Sequence, residues 1–233
     1  MPDLTRTSAA ADLLQDATQR LVRSVDALPD EAWTGPSLLP GWTRAHVLAH
    51  LTLNAEGLAG ALRGIVAGEP VPMYASQEAR DADIDELAAS DPETLRTRFL
   101  ASTTDFADAA SSIPDERWDS TVERVPGGRS FPATAVPGMR LGEVEIHHVD
   151  MAAGPTQGDW TPEFAAIVLD NATARGPGSF RAHATDLDRT WDYGTGGPTV
   201  TGLSHDLAWW LTGRGHGEGL TSDSGDLPEV ASW

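Results

Sequence analysis

The densest concentration of ligand-type side chains in the sequence is Glu143-Val144-Glu145-Ile146-His147-His148-Val149-Asp150. Four residues is just over one helical turn, so on a helix Glu143 and His147 leave the same face and can bind one metal ion together. His50 lies on the inward side of an earlier helical pattern, among Val47, Leu51 and Leu58, and is the third candidate ligand. Two histidines and one glutamate form a donor set that leaves the fourth position of tetrahedral zinc open to water or substrate, which points to catalysis rather than scaffolding. The spacing also leaves rivals. His46 and His50 make their own i, i+4 pair, while Glu145, His148 and Asp150 qualify as ligands, as partners that orient ligands, or as solvated groups. Nickel, iron and manganese accept the same donors, so another divalent metal can stand in for zinc.

Such side chains need elements to hold them. Leu14, Ala17, Leu21, Val25 and Leu28 recur at three- and four-residue steps and predict a helix from Leu4 to Leu28, ended by Pro29. A second helix is expected from Thr43 to Ala67, with Thr43 as its N-cap after the Pro40-Gly41 turn. His46 stands where an acidic capping-box partner is usual, which argues against a capping box there. Ser90-Asp91-Pro92 opens a third helix, carried by Leu95, Phe99, Phe106 and Ala110 to Pro114, and a fourth runs from about Val136 to Ala153. Four long helices read as a bundle, whose core is a usual place for a metal site. The stretch from Val66 to Ser90 is long for a bundle connection; a short helix around Ser76 to Ala88 is expected there, as a lid or pocket wall.

The composition shifts at Gly154-Pro155-Thr156-Gln157-Gly158. Beyond it come a helical pattern from Phe164 to Ala174, short β-patterned runs at Phe180 to Thr185, Thr190 to Tyr193 and Thr199 to Thr201, and a helix from Ser204 to Thr212 closed by Gly213. The expected fold class is α+β, with a metal-binding four-helix bundle over residues 1–153 and a small α/β domain over 154–233.

Composition narrows the partners. With 233 residues, 40% of them hydrophobic, the chain can bury an ordinary core. Its formal charge of -19 argues against nucleic acid or an anionic membrane surface and favours a small molecule. There is no cysteine, so any thiol chemistry must import its sulfur. Charges interrupt the first residues before a signal-peptide core can form, and no apolar run approaches the roughly 20 residues of a spanning helix, so a soluble, cytoplasmic protein is expected.

Pro40-Gly41-Trp42-Thr43, His46-Val47-Leu48-Ala49-His50-Leu51, Arg140-Leu141-Gly142-Glu143 with Glu145-Ile146-His147-His148-Val149-Asp150, and Trp210-Leu211-Thr212-Gly213-Arg214 together resemble the mycothiol-dependent maleylpyruvate isomerase family. The resemblance spans nearly the whole chain, to Leu227-Pro228-Glu229, and extends to the broader DinB-like metal-binding bundles. It implies zinc on His50, Glu143 and His147, and a C-terminal domain similar to sterol-carrier-type modules. It also implies that Arg214 reaches the active site from the second domain to bind an anionic substrate carboxylate. On the residues alone, Arg214 reads as a helix C-terminal arginine interacting with the helix dipole. Tyr74, Arg80 and Asp83 match a recurrent segment of the family and are implied to line a thiol or substrate pocket, with a solvated linker helix as the alternative.

The implied reaction uses mycothiol as the thiol cofactor. Its zinc-held thiolate adds to the cis double bond of maleylpyruvate, the resulting single bond rotates, and elimination gives fumarylpyruvate, with Arg214 holding a carboxylate or the enolate charge. A mycothiol S-transferase, conjugating an electrophile irreversibly, keeps the same metal and thiol. A zinc-binding ligand sensor or interaction module is the non-catalytic alternative, and a closed four-ligand site using His46 would favour it.

Overall fold

A computed structural model describes residues 4–173 and 178–230. The chain is α+β and divides into two compact units, Met1–Gly154 and Pro155–Trp233.

The first unit is built on four long helices: α1 (Leu4–Ala27), α2 (Arg44–Ala67), α4 (Pro92–Ser111) and α5 (Val136–Asp150). α2 packs against α4 and α5, and α1 against α5 and α4, so the apolar stripes close on one core. Leu21, Val25, Leu48, Leu51, Leu58, Leu62, Leu95, Phe99, Leu141 and Val144 are almost completely buried in it. The expected short helix is present as α3 (Gln77–Ala88), packed on α2 and started by Ser76, whose hydroxyl accepts from the Ala79 amide at 3.0 Å.

Two expectations for the helix ends are corrected. Thr43 and His46 do form a capping box: the His46 amide donates to Thr43 Oγ1 at 3.4 Å, and the Thr43 amide donates to His46 Nδ1 at 3.3 Å. An unprotonated imidazole nitrogen is an acceptor, so it serves where a carboxylate usually does. The fourth long helix stops at Asp150 rather than Ala153, and the carbonyls at and just beyond its end are bonded from outside, Asp150 O by Leu38 N at 2.8 Å. Arg44 donates through Nε to Met151 O and through Nη2 to Ala152 O, both at 2.9 Å, and through Nη1 to Ala32 O at 3.1 Å, while Ala152 turns left-handed at φ 50°. Gly35 leaves room for this clamp, since a Cβ there would lie 2.1 Å from Arg44 Nη1. Charge-assisted bonds to carbonyls contribute more than neutral ones. Arg44→Ala is therefore expected to cost about 2 to 4 kcal/mol, seen as a lower urea midpoint; an unmoved midpoint would mean that water replaces the guanidinium without loss.

A hairpin that the sequence reading did not anticipate joins α4 to α5. Its strands β1 (Thr121–Glu123) and β2 (Ser130–Pro132) pair antiparallel with Val122 opposite Phe131. The segment before α3 extends this small sheet: Met73 N donates to Glu123 O at 2.9 Å and Tyr74 N to Arg124 O at 3.0 Å.

The second unit carries α6 (Pro162–Ala172), β3 (Phe180–Ala184), β4 (Arg189–Tyr193), β5 (Thr199–Gly202), α7 (Ser204–Leu211) and β6 (Thr221–Ser222). The sheet order is β4-β3-β5-β6, with β3 and β5 parallel and the outer pairings antiparallel. Ala174, the expected end of the first of these helices, lies outside the described residues. Phe180 packs on Tyr193 and Trp210, and Trp209 on Trp160, which gives this small unit an aromatic core. Among the described residues, no helix is long and apolar enough to cross a membrane.

Candidate metal centre

α5 presents Glu143 and His147 one turn apart, and α2 presents His50 to them. His50 Nε2 lies 2.8 Å from Glu143 Oε2, and His147 Nε2 lies 3.2 Å from the same oxygen. One potential ligand atom from each residue fits within a 4.8 Å circle of mutual distances, and among the described residues this is the group able to hold a metal. Ligand atoms around tetrahedral zinc, each about 2.0–2.2 Å from the ion, stand roughly 3.3–3.5 Å apart. Glu143 Oε2 therefore stands within a few tenths of an ångström of the spacing such an ion would need from each imidazole nitrogen.

The neighbouring rivals have other partners. His147 Nδ1 is 2.8 Å from Asp150 Oδ2, and Asp150 is fully buried, so this carboxylate fixes the ring with Nε2 facing Glu143. His148 points to α1, where its Nε2 meets Ser24 Oγ at 2.8 Å. Glu145 also turns to α1 and pairs with Arg20. His46 is occupied by its capping bonds, with Thr43 Oγ1 2.7 Å from Nδ1, and stacks on Trp42. Trp42 also forms a wall beside His50, with ring centroids 5.7 Å apart.

The charges follow from these contacts. Burial pushes the His50 ring below its ordinary pKa, outweighing the Glu143 carboxylate that would raise it, so His50 is neutral at pH 7. Arg80 Nη2 donates to His50 Nδ1 at 3.0 Å, which leaves the ring proton on Nε2, facing Glu143. Desolvation pushes the Glu143 carboxyl up, but the two histidine rings bonded to it win and hold it well below the usual carboxylate range. Burial would lower His147, yet its bonds to Asp150 and Glu143 raise it. An ionised glutamate and a second imidazole backed by a carboxylate suit a divalent cation, and the neutral His50 ring joins them once its proton sits on Nδ1 and Arg80 turns aside, which frees Nε2.

Of the other residues singled out in the sequence, Tyr74 and Arg80 are brought to this centre. Arg80 stands over the Tyr74 ring, 5.7 Å from its centroid. Asp83 is not: it is exposed on α3, and its charge acts on Arg98 of α4. Arg214 belongs to the second unit, where it donates to Thr212 O at 3.1 Å and lies over Trp209, 5.7 Å from the ring centroid. The carbonyl bond is the helix C-terminal role open to it from the sequence.

Two arginines near the centre were missed. Arg140 is buried at 2% exposure one turn before Glu143, donating from Nη1 to Leu51 O and Asn54 Oδ1, both at 2.8 Å. Burial pulls its pKa down to about 10, against the attraction of Glu143, so it remains a cation at neutral pH. Arg124 follows β1 and lies over the Tyr74 ring. The Pro126-Gly127-Gly128 turn between Val122 and Phe131 was the signal for its hairpin.

Comparison with known proteins places these helices in context. No curated protein matches the chain. The crystal structure of a mycothiol-dependent maleylpyruvate isomerase is similar to it at 28% identity, with a TM-score of 0.88 and 97% of each chain covered. The structure of a variant of such an enzyme, in which one histidine is replaced by alanine, is similar at 27% identity, with a TM-score of 0.87 and 97% of each chain covered. The model of the mycothiol maleylpyruvate isomerase N-terminal domain matches residues 14–152, a segment that contains His50, Glu143, His147 and Asp150. More than half of the chain lies within that match, and the chain belongs to the mycothiol maleylpyruvate isomerase family.

Proposed function

We propose that this protein is a cytoplasmic, metal- and mycothiol-dependent cis-trans isomerase of the maleylpyruvate type, with zinc held by His50, Glu143 and His147. The observation that carries the reading is the convergence of two imidazoles on one carboxylate oxygen, at 2.8 and 3.2 Å, with one ring anchored by a buried aspartate. Three protein donors leave a tetrahedral ion with room for an external ligand. His46 caps its helix through Nδ1, turns Nε2 towards Asp85 at 3.7 Å and stands outside the ligand group, which weighs against a closed four-ligand site and so against a purely structural or sensory module. When bound, the ion keeps a cofactor thiol ionised at neutral pH, supplying the nucleophile whose reversible addition turns a double bond into a rotatable single bond.

The chain's own residues do the rest. Glu143 offsets the charge of the cation, and Asp150 holds His147 in one tautomer and orientation. Trp42 shields the His50 side of the centre, and Tyr74 and Arg80 supply an aromatic face and a positive charge beside it. Having no cysteine, the chain offers no competing thiol of its own.

The test combines zinc-loaded protein, mycothiol and maleylpyruvate and follows fumarylpyruvate by chromatography. Turnover that requires both the metal and the thiol is expected. A stable mycothiol adduct without isomerised product would replace the isomerase by an S-transferase, and inertness at full zinc occupancy would end both readings.

A further inference from the structure

The chain carries 35 acidic and 16 basic residues, so a buried or half-buried arginine should find a carboxylate easily. Yet among the described residues neither Arg124 nor Arg140 forms an ion pair, and both lie close to Tyr74. Arg124 Cζ is 5.6 Å from the centroid of the Tyr74 ring, and Arg80 Cζ is 5.7 Å from it. Arg80 touches His50, so the Tyr74 platform adjoins the metal centre. Arg140 is a further cation near the Tyr74 ring, hydrogen-bonded to the neutral Leu51 O and Asn54 Oδ1 and attracted by Glu143.

This arrangement is built rather than incidental. The backbone bonds from Met73 and Tyr74 to Glu123 and Arg124 fix the aromatic ring against the hairpin, and Arg124 N donates to Arg129 O at 2.9 Å across it. Gln77 Oε1 accepts from Arg124 Nη1 at 2.5 Å and aims the guanidinium. Gly57 of α2 allows the segment to lie close, because a Cβ there would meet Met73 O at 2.9 Å. Gln77 engages a single guanidinium nitrogen, Tyr74 and Arg124 are only half-buried, and a planar fork of N–H donors matches a carboxylate.

We propose that Arg124, set over the Tyr74 ring, forms an anion subsite that receives a carboxylate of the electrophilic substrate, while Arg80, nearby on the same ring, is already paired with Asp81 Oδ1 at 2.7 Å. The assignment rests on the isomerase reading for the nature of that substrate, but not for the existence of the subsite. It makes Arg124 a binding residue supplied by the hairpin and separates it from the metal ligands. It also gives the α2–α3 connection its role, as the segment that carries the aromatic floor beneath Arg124.

The test uses the full-length zinc-loaded protein and maleate, a cis four-carbon dicarboxylate, titrated calorimetrically so that no turnover is needed. Arg124→Gln is expected to weaken maleate binding about tenfold while leaving zinc content and the thermal midpoint unchanged; Arg124→Lys should recover part of the loss. Binding of the neutral dimethyl ester and of mycothiol should be unaffected by either substitution. No maleate binding by the unaltered protein, an unchanged affinity in Arg124→Gln, or an equal loss for the neutral ester or mycothiol would each overturn the subsite. Arg124-dependent maleate binding in a protein that does not isomerise maleylpyruvate would retain the subsite and remove the isomerase reading.

Discussion

Glu143→Gln is expected to lower zinc affinity by more than about 100-fold and to reduce isomerase activity to background. The amide has nearly the same shape, so the α2–α5 packing should persist and the effect should report charge. Both His50 Nε2 and His147 Nε2 converge on Glu143 Oε2. An ionised oxygen at that point is the only negative charge the three ligands bring to the cation, and a neutral amide oxygen is a much poorer ligand for it. Competition with a chromophoric chelator measures the affinity, and far-ultraviolet circular dichroism checks the fold. Retention of wild-type zinc affinity would take Glu143 out of the ligand set and undo the mechanism.

The second large effect is expected at a residue that is not a ligand. Asp150 is completely buried, and its carboxylate lies 2.8 Å from His147 Nδ1. Asp150→Ala removes the acceptor that orients the ring and strengthens its donor nitrogen, so zinc affinity should fall about 10- to 100-fold. Asp150→Asn should fall less, because the amide oxygen still accepts the Nδ1 proton. Both variants should regain activity when zinc is raised above the weakened dissociation constant, unlike Glu143→Gln, whose ligand has changed. Equal loss in the alanine and asparagine variants, with no recovery at high zinc, would show that Asp150 supports the fold and not the metal.

How much of this was readable in the sequence depended on how local the cause was. The i, i+4 spacing put Glu143 and His147 on one face, and the apolar neighbours of His50 put it inside; both are properties of a single helix, and the structure brings the three side chains together. Choosing between His46 and His50 needed the third dimension, because Nδ1 of His46 is consumed as the acceptor in a cap that propensities for acidic residues did not anticipate. The roles of Glu145, His148 and Asp150 depended on which helix packs against each face of α5. Only packing shows that Glu145 and His148 meet α1, while Asp150 turns back to His147.

The hairpin was missed for a different reason. Strands of three residues alternate too briefly to stand out from a loop, and Arg124 acquires its meaning only when Tyr74, fifty residues earlier, is bonded alongside it. Arg44 was invisible in the same way: its acceptors at Ala32, Met151 and Ala152 are backbone carbonyls, which leave no trace in side-chain patterns. The α+β class and the succession of helices were readable because each helix carries its own periodicity and stop signals. The helix ends were less so, since tertiary partners terminate them.

All three donors come from a pair of helices inside the segment spanned by the family match, residues 14–152. A cage for an ion would thus be carried by the helical unit alone. Substitutions confined to the sheet-bearing unit would therefore leave the three ligand-type side chains and the backbone that spaces them untouched.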